Sequence, residues 1–138
     1  MILMEKINKK VEIPSDIEYI KRISKEILRI LQHLKIDKSI QFDVRLAVEE
    51  AVRNAIQHGN RYKKELPIAI SYIVDNDKIE IEVEDKGKGF DLKKIPDPRS
   101  GEGLTKESGR GVFLMHKLMD KVVYNEKGNK VKITKFLR

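Results

Sequence analysis

Glu50 and Asn54 stand four residues apart in the run Glu49-Glu50-Ala51-Val52-Arg53-Asn54-Ala55-Ile56-Gln57-His58-Gly59. On a helix of 3.6 residues per turn the two lie within about 40° of each other, so a carboxylate and a carboxamide point the same way. The carboxylate can take a proton from an attacking hydroxyl. The amide oxygen suits magnesium, which prefers oxygen donors and keeps several waters while bridging phosphates. Asp85-Lys86-Gly87-Lys88-Gly89 sets an acid and two spaced glycines directly after a strand. Such a carboxylate can accept the exocyclic amine of adenine, while Gly87 and Gly89 let the backbone approach base and ribose. Gly109-Arg110-Gly111 opens a helix, where unpaired N–H groups and the helix dipole attract phosphate oxygens. Jointly the three clusters describe a site for ATP and magnesium.

Each cluster also has a plainer reading. Asp-x-Gly is a common tight turn after a strand. Gly109 and Gly111 serve equally as a flexible helix entry, and Arg110, Lys106 and Arg99, which could offset phosphate charge from the lid, also read as solvated cations. Of the adjacent glutamates one should face solvent and one the site, and the spacing to Asn54 selects Glu50. His58-Gly59 reads as a helix terminus. His33 and His116 read as surface or boundary residues, and no histidine shows metal-ligand spacing. No nucleophile elbow and no Walker lysine motif is present.

The elements that must hold these residues follow from the apolar pattern. Residues 6–13 read as a strand ended by Pro14. Ser15 and Glu18 form a capping box for a helix carrying Ile17, Ile20, Ile23, Ile27, Leu28, Leu31 and Leu34. A second helix is expected over about 39–58, strands over 66–74 and 78–84, and a third helix over about 111–120. Two strands close the chain, 121–125 and 130–137. Ile79, Ile81 and Val83 alternate with glutamates, the mark of a strand with one wet face. Residues 90–108 carry Pro96, Pro98, Gly101 and Gly103 with almost no apolar period, which suits a long functional loop or lid. The order β-α-α-β-β-α-β-β predicts an α+β fold: a two-layer α/β sandwich, its mainly antiparallel mixed sheet covered by helices on one face.

With 138 residues and 40% hydrophobic content, one domain spanning 1–138 is expected. No apolar run approaches a membrane span, and Met1-Ile2-Leu3-Met4-Glu5-Lys6 lacks a secretory h-region. With no cysteine, disulfides and thiolate metal sites are excluded. A cytoplasmic setting is the default. The net charge of +7 raises nucleic acid as a partner. Against it, 29 basic residues are interleaved with 22 acidic ones, and tryptophan is absent. A solvated Lys/Glu surface is the better reading, with no direct nucleic-acid contact expected.

Glu50-x-x-x-Asn54 with His58-Gly59, Asp85-x-Gly87-x-Gly89 and Gly109-x-Gly111 resembles the gyrase, heat-shock protein, histidine kinase and mismatch-repair ATPase superfamily. The match is closest to its small bacterial anti-sigma factor serine/threonine kinases, and Ser108-Gly109-Arg110-Gly111-Val112-Phe113-Leu114-Met115 is similar to that branch's second glycine box. The resemblance implies a Bergerat-type ATP-binding fold. Glu50 would be the general base, Asn54 the magnesium ligand and Asp85 the adenine contact, with Gly87 and Gly89 lining the base and Gly109 and Gly111 the phosphates. It further implies a sigma factor held inactive, an anti-sigma factor antagonist phosphorylated on serine or threonine, and pairing as a homodimer. Where many relatives carry Gly-Thr before the last strand, this chain has Gly128-Asn129-Lys130, and the nearest threonine is Thr134.

At this length a stand-alone nucleotide domain acting on another protein is expected. The expected activity is phosphoryl transfer from ATP to a protein hydroxyl in a partner switch. A module that binds nucleotide and sequesters a partner without transfer is the rival. An intact Glu50 and Asn54 favour the enzyme, since a pure binder needs no base.

Overall fold

The computed structural model describes residues 6–88 and 107–138. Strand β1 is Ile7–Ile13, and a 3-10 turn, Ile17–Tyr19, leads into α1, Ile20–His33. Helix α2, Lys38–Asn54, continues into a π-helical turn, Ala55–Gly59. Then follow β2 (Ile68–Val74), β3 (Lys78–Glu84), α3 (Glu107–Leu118), β4 (Lys121–Tyr124) and β5 (Lys130–Phe136). The strands form one sheet in the order β1-β2-β3-β5-β4. All four pairings are antiparallel, so no parallel pair occurs among the described strands.

Alternation decides which sheet face is covered. Ile79, Ile81 and Val83 of β3 are buried, in register with Val74, Tyr72 and Ile70 of β2 and with Lys135, Ile133 and Val131 of β5. Apart from Lys135, these side chains meet Ile23, Ile27 and Leu31 of α1 and Val44, Val48 and Val52 of α2 in one core. Helix α2 packs on both α1 and α3 and lies over β3 and β5. The other face carries Lys78–Glu80, Lys132–Glu80 and Lys130–Glu82 ion pairs at 2.8, 3.0 and 3.1 Å. Because the period is two, Asp85 follows Ile79, Ile81 and Val83 onto the helix-covered side, as Asn129 precedes Val131 and Ile133.

Several element limits differ from those the sequence predicts, and β2 for one starts at Ile68 rather than 66. Asp16, not Ser15, caps the first turn by accepting the Glu18 N–H at 3.0 Å. Ser15 is buried instead and donates to the Leu66 carbonyl at 2.6 Å. Helix α2 does not stay α-helical to His58: the Asn60 N–H bonds the Ala55 carbonyl, five residues back, at 2.8 Å. Helix α3 begins at Glu107, four residues before the expected start, and ends at Leu118, two residues before the expected end.

Candidate functional site

Helix α2 carries Glu50 and Asn54 to its C-terminal end, and α3 crosses them there. Asn54 is only 5% exposed, and its Nδ2 has no hydrogen-bond partner among the described residues. Glu50 accepts a hydrogen bond from Arg53 Nη1 at 3.1 Å through Oε2. A Cβ on Gly111 would lie 2.7 Å from Asn54 Nδ2 and closer still to Glu50 Oε1. Only glycine lets α3 approach these two groups so closely. Glu49 is not the solvent-facing partner expected: it accepts a hydrogen bond from Ser24 Oγ of α1 at 2.8 Å.

Asp85 follows β3 and is 7% exposed. Its Oδ1 accepts the Gly87 N–H at 2.7 Å, closing the Asp-x-Gly turn. Burial raises its carboxyl above the usual range, opposed by the Gly87 N–H and by the charge of Lys127. A Cβ on Gly59 would lie within 3.0 Å of Cγ, Oδ1 and Oδ2 of this carboxyl group. A Cβ on Gly87 would lie 2.8 Å from the Gly59 carbonyl carbon. The π-turn, by taking one extra residue, brings Gly59 against Asp85, a frequent use of such turns at functional sites.

Asn54 and Asp85 line one narrow cavity of about 20 Å³ with Ala51, Val83, Met115 and Tyr124, closed by Gly128 and Asn129 of the β4–β5 turn. That volume holds a water, not a purine. Burial, then the nearby Glu50 carboxylate, raises the Tyr124 phenol far above its ordinary value. A roomier hollow of about 480 Å³ lies on the opposite sheet face, among Lys10, Glu12, Ser71, Glu82, Glu84 and Lys130. The small cavity is the better candidate, because it gathers the orphaned Asn54 amide and the buried Asp85 carboxyl.

The glycines divide. Gly87 stands where expected, and Gly89, with most of the 90–108 segment, Arg99 and Lys106, lies outside the described residues. Gly109 and Arg110 belong to the first turn of α3, among its first four N–H groups, which have no intrahelical partner. Gly111 sits just beyond those four. Thr134 pairs with Glu80 and Lys121 inside the sheet and faces the charged side, away from Asp85. Asn129 is the residue at the Asp85 end. Its carbonyl accepts the Asp85 N–H at 2.9 Å, and its Nδ2 donates to the Asp85 carbonyl at 3.0 Å.

Sequence reasoning missed Tyr124 and Asn60 as parts of this site, and gave Gly59 no role beyond its place in the His58-Gly59 pair. Asn60 bonds the Lys86 N–H at 2.7 Å. The signal for Gly59 and Asn60 was their place after the Glu50-to-His58 run. Tyr124 gave none, being one more aromatic in a short strand. Among the described residues no group of three histidines or carboxylates could cage a metal. A cation here would rest on Asn54 and on a ligand's own oxygens. The orphaned amide fits that role, since a half-turn of the side chain exchanges its nitrogen for its oxygen.

Residues 13–135 match the family model of the histidine kinase-like ATPase domain. The serine-protein kinase RsbW of Staphylococcus aureus is 32% identical over 136 residues, covering 93% of this chain and 86% of that protein. The serine-protein kinase RsbW of Listeria monocytogenes is 33% identical over 102 residues, 69% of this chain and 65% of the other. Among solved structures, the RsbU and RsbW domains of Rv1364c from Mycobacterium tuberculosis superpose with a TM-score of 0.62 at 15% identity, a likeness of fold alone. The match takes in 96% of this chain but 32% of that one. With its β-α-α-β-β-α-β-β order and the site just described, the chain belongs to the histidine kinase-like ATPase domain family and, within it, to the serine-protein kinase RsbW family.

Proposed function

We propose that the chain is an ATP-dependent protein serine/threonine kinase acting as an anti-sigma factor in a partner switch. The observation that carries this is the convergence of Glu50, Asn54 and Gly111 at one side of a cavity whose other side is the Asp85 carboxyl held against Gly59. A base and a magnesium-seeking amide beside an adenine-seeking carboxylate are what phosphoryl transfer from ATP needs. The names of the similar proteins support the reading.

Asp85 would accept the adenine amine, with Gly59 and Gly87 letting the backbone close around the base. The free N–H groups at the start of α3, Gly109 and Arg110 among them, would receive phosphate oxygens. Glu50 would take the proton of an incoming serine or threonine hydroxyl as that oxygen bonds the γ-phosphorus and ADP leaves. Asn54 would hold magnesium, which offsets the charge of the phosphate oxygens. Most of the acceleration in such a transfer is positioning and electrostatics, with the base contributing the proton acceptor. The partners would be a sigma factor and a serine- or threonine-bearing antagonist, which places the protein in the cytoplasm. A homodimer is part of the same proposal.

Calorimetry tests the nucleotide half. ATP should bind with magnesium and raise the melting temperature by mass action. Asn54→Ala should lose the magnesium-dependent part of the affinity. No heat at millimolar ATP and magnesium would overturn the reading.

A further inference from the structure

We infer that Asn60 and Asn129 are positioning residues that clamp the Asp85–Lys86 peptide group and thereby set which nucleobase the site accepts. That one peptide is held at both ends. Its N–H, on Lys86, donates to Asn60 Oδ1 at 2.7 Å, and its C=O, on Asp85, accepts from Asn129 Nδ2 at 3.0 Å. The preceding peptide is fixed as well, because the Asp85 N–H donates to the Asn129 carbonyl at 2.9 Å.

Neither asparagine is free to turn. Asn60 is 1% exposed, and its Nδ2 is shared among Ser15 Oγ at 2.9 Å, the Leu66 carbonyl at 3.0 Å and the Pro67 carbonyl at 3.1 Å. The Asn129 amide is aimed by Asn125 Nδ2, which donates to its Oδ1 at 2.8 Å. Asn125 Oδ1 in turn accepts the N–H groups of Gly128, Asn129 and Lys130. Two rigid anchors, one on the loop after the π-turn and one on the β4–β5 hairpin, therefore meet on the residue whose carboxylate faces the cavity.

The clamp does more than close a turn. The Asp85–Gly87 turn closes through Gly87 N–H and Oδ1, and the hairpin closes through Asn125. Holding the peptide between Asp85 and Lys86 adds a fixed direction for the carboxylate. With Oδ1 engaged by Gly87, Oδ2 is the oxygen left for a ligand, and no hydrogen-bond donor among the described residues reaches it. Adenine presents a donor amine at its six position, and guanine presents an acceptor carbonyl there. A fixed acceptor rejects guanine by leaving two acceptors facing each other, whereas a loosened one can swing aside. Discrimination, rather than affinity for the phosphates, is what the clamp controls. The inference rests on the reading that Asp85 takes the adenine amine.

The test measures dissociation constants of the full chain for ATP, GTP and inorganic tripolyphosphate, each with magnesium, alongside melting temperature. Wild type, Asn129→Ala, Asn60→Ala and Asp85→Asn are compared. Asn129→Ala should weaken ATP about tenfold, the scale of one lost hydrogen bond, and narrow the ATP-to-GTP ratio, while tripolyphosphate binding stays at the wild-type value. A purely structural residue would weaken ATP, GTP and tripolyphosphate together, and that result overturns the inference. Asn60→Ala strips partners from buried groups; if it does not fold, Asn129→Ala decides alone. Asp85→Asn separates the two layers. If it leaves the ATP-to-GTP ratio unchanged, the adenine reading itself fails. If it narrows the ratio but folded Asn129→Ala does not, the clamp fails and the adenine reading stands.

Discussion

Asp85 shows how a residue is kept in place at a cost to the fold. Burial disfavours the charged form of Asp85, which is why its titration lies above the usual range. The sign follows from linkage: stability is fully present below the unfolded value and is lost as pH rises through the higher folded value. Once ionised, Asp85 therefore weakens the unliganded protein. Asp85→Asn should melt higher than wild type near pH 7 without nucleotide and bind ATP more weakly, a reversal visible by thermal denaturation with and without ATP. A variant that melts lower in both conditions would assign Asp85 a structural role. Gly111 offers a second test at this scale. Alanine is favoured over glycine within a helix by about 1 kcal/mol, so Gly111→Ala should leave the fold intact. Its methyl would nonetheless displace Glu50 Oε1 and Asn54 Nδ2, and magnesium-dependent ATP binding should fall at least tenfold by calorimetry. The Glu50–Asn54 pairing was legible because helical spacing alone puts the two on one face. The part played by Gly59 was not, because it depends on a strand that arrives 26 residues later at Asp85.

Among the elements, β3 was the most legible and the end of α2 the least. Strict alternation in Lys78–Glu84 leaves one choice of face, and the register with β2 and β5 follows it. The π-turn gave no such sign, since α- and π-helical turns have the same apolar pattern over five residues, and the Asn60 N–H to Ala55 carbonyl bond decides between them. Ser15 was misread for a related reason: a capping box and a buried hydroxyl on the Leu66 carbonyl look alike until the loop 60–67 is folded onto it. On the open face of β3, Lys78 and Lys132 hold the Glu80 carboxyl down to about 2. Its folded value is depressed, so its contribution is present above the unfolded value and lost as pH falls through about 2. Glu80→Gln should remove that acid-labile increment, worth about 1 kcal/mol or less for a pair at a wet surface, and flatten the stability profile between pH 2 and 4.5. An unchanged profile would mean that the ladder contributes nothing measurable.

For the molecule as a whole, the α+β layering was readable from element order and one wet strand, while the state of the cavity was not. Its lining comes from α2, β3, α3 and the β4–β5 hairpin at once, and no local pattern encodes its volume of about 20 Å³. Asn54 at the end of α2 and Met115 of α3 both line that cavity, so amide exchange in α3 and at the end of α2 should change when ATP and magnesium are added. The proposed activity turns on phosphoryl transfer with Glu50 as the proton acceptor. It is tested most directly by following label from the γ-phosphate of ATP onto an antagonist protein's serine or threonine, with wild type and Glu50→Gln compared at matched ATP occupancy. Glutamine keeps the shape of Glu50 and removes the acceptor, so ATP affinity should change little while transfer falls about 10²–10⁴-fold. Full transfer by the folded variant would show that Glu50 is not the base, and a wild type that binds its partner in a nucleotide-dependent way yet labels nothing would contradict the kinase itself.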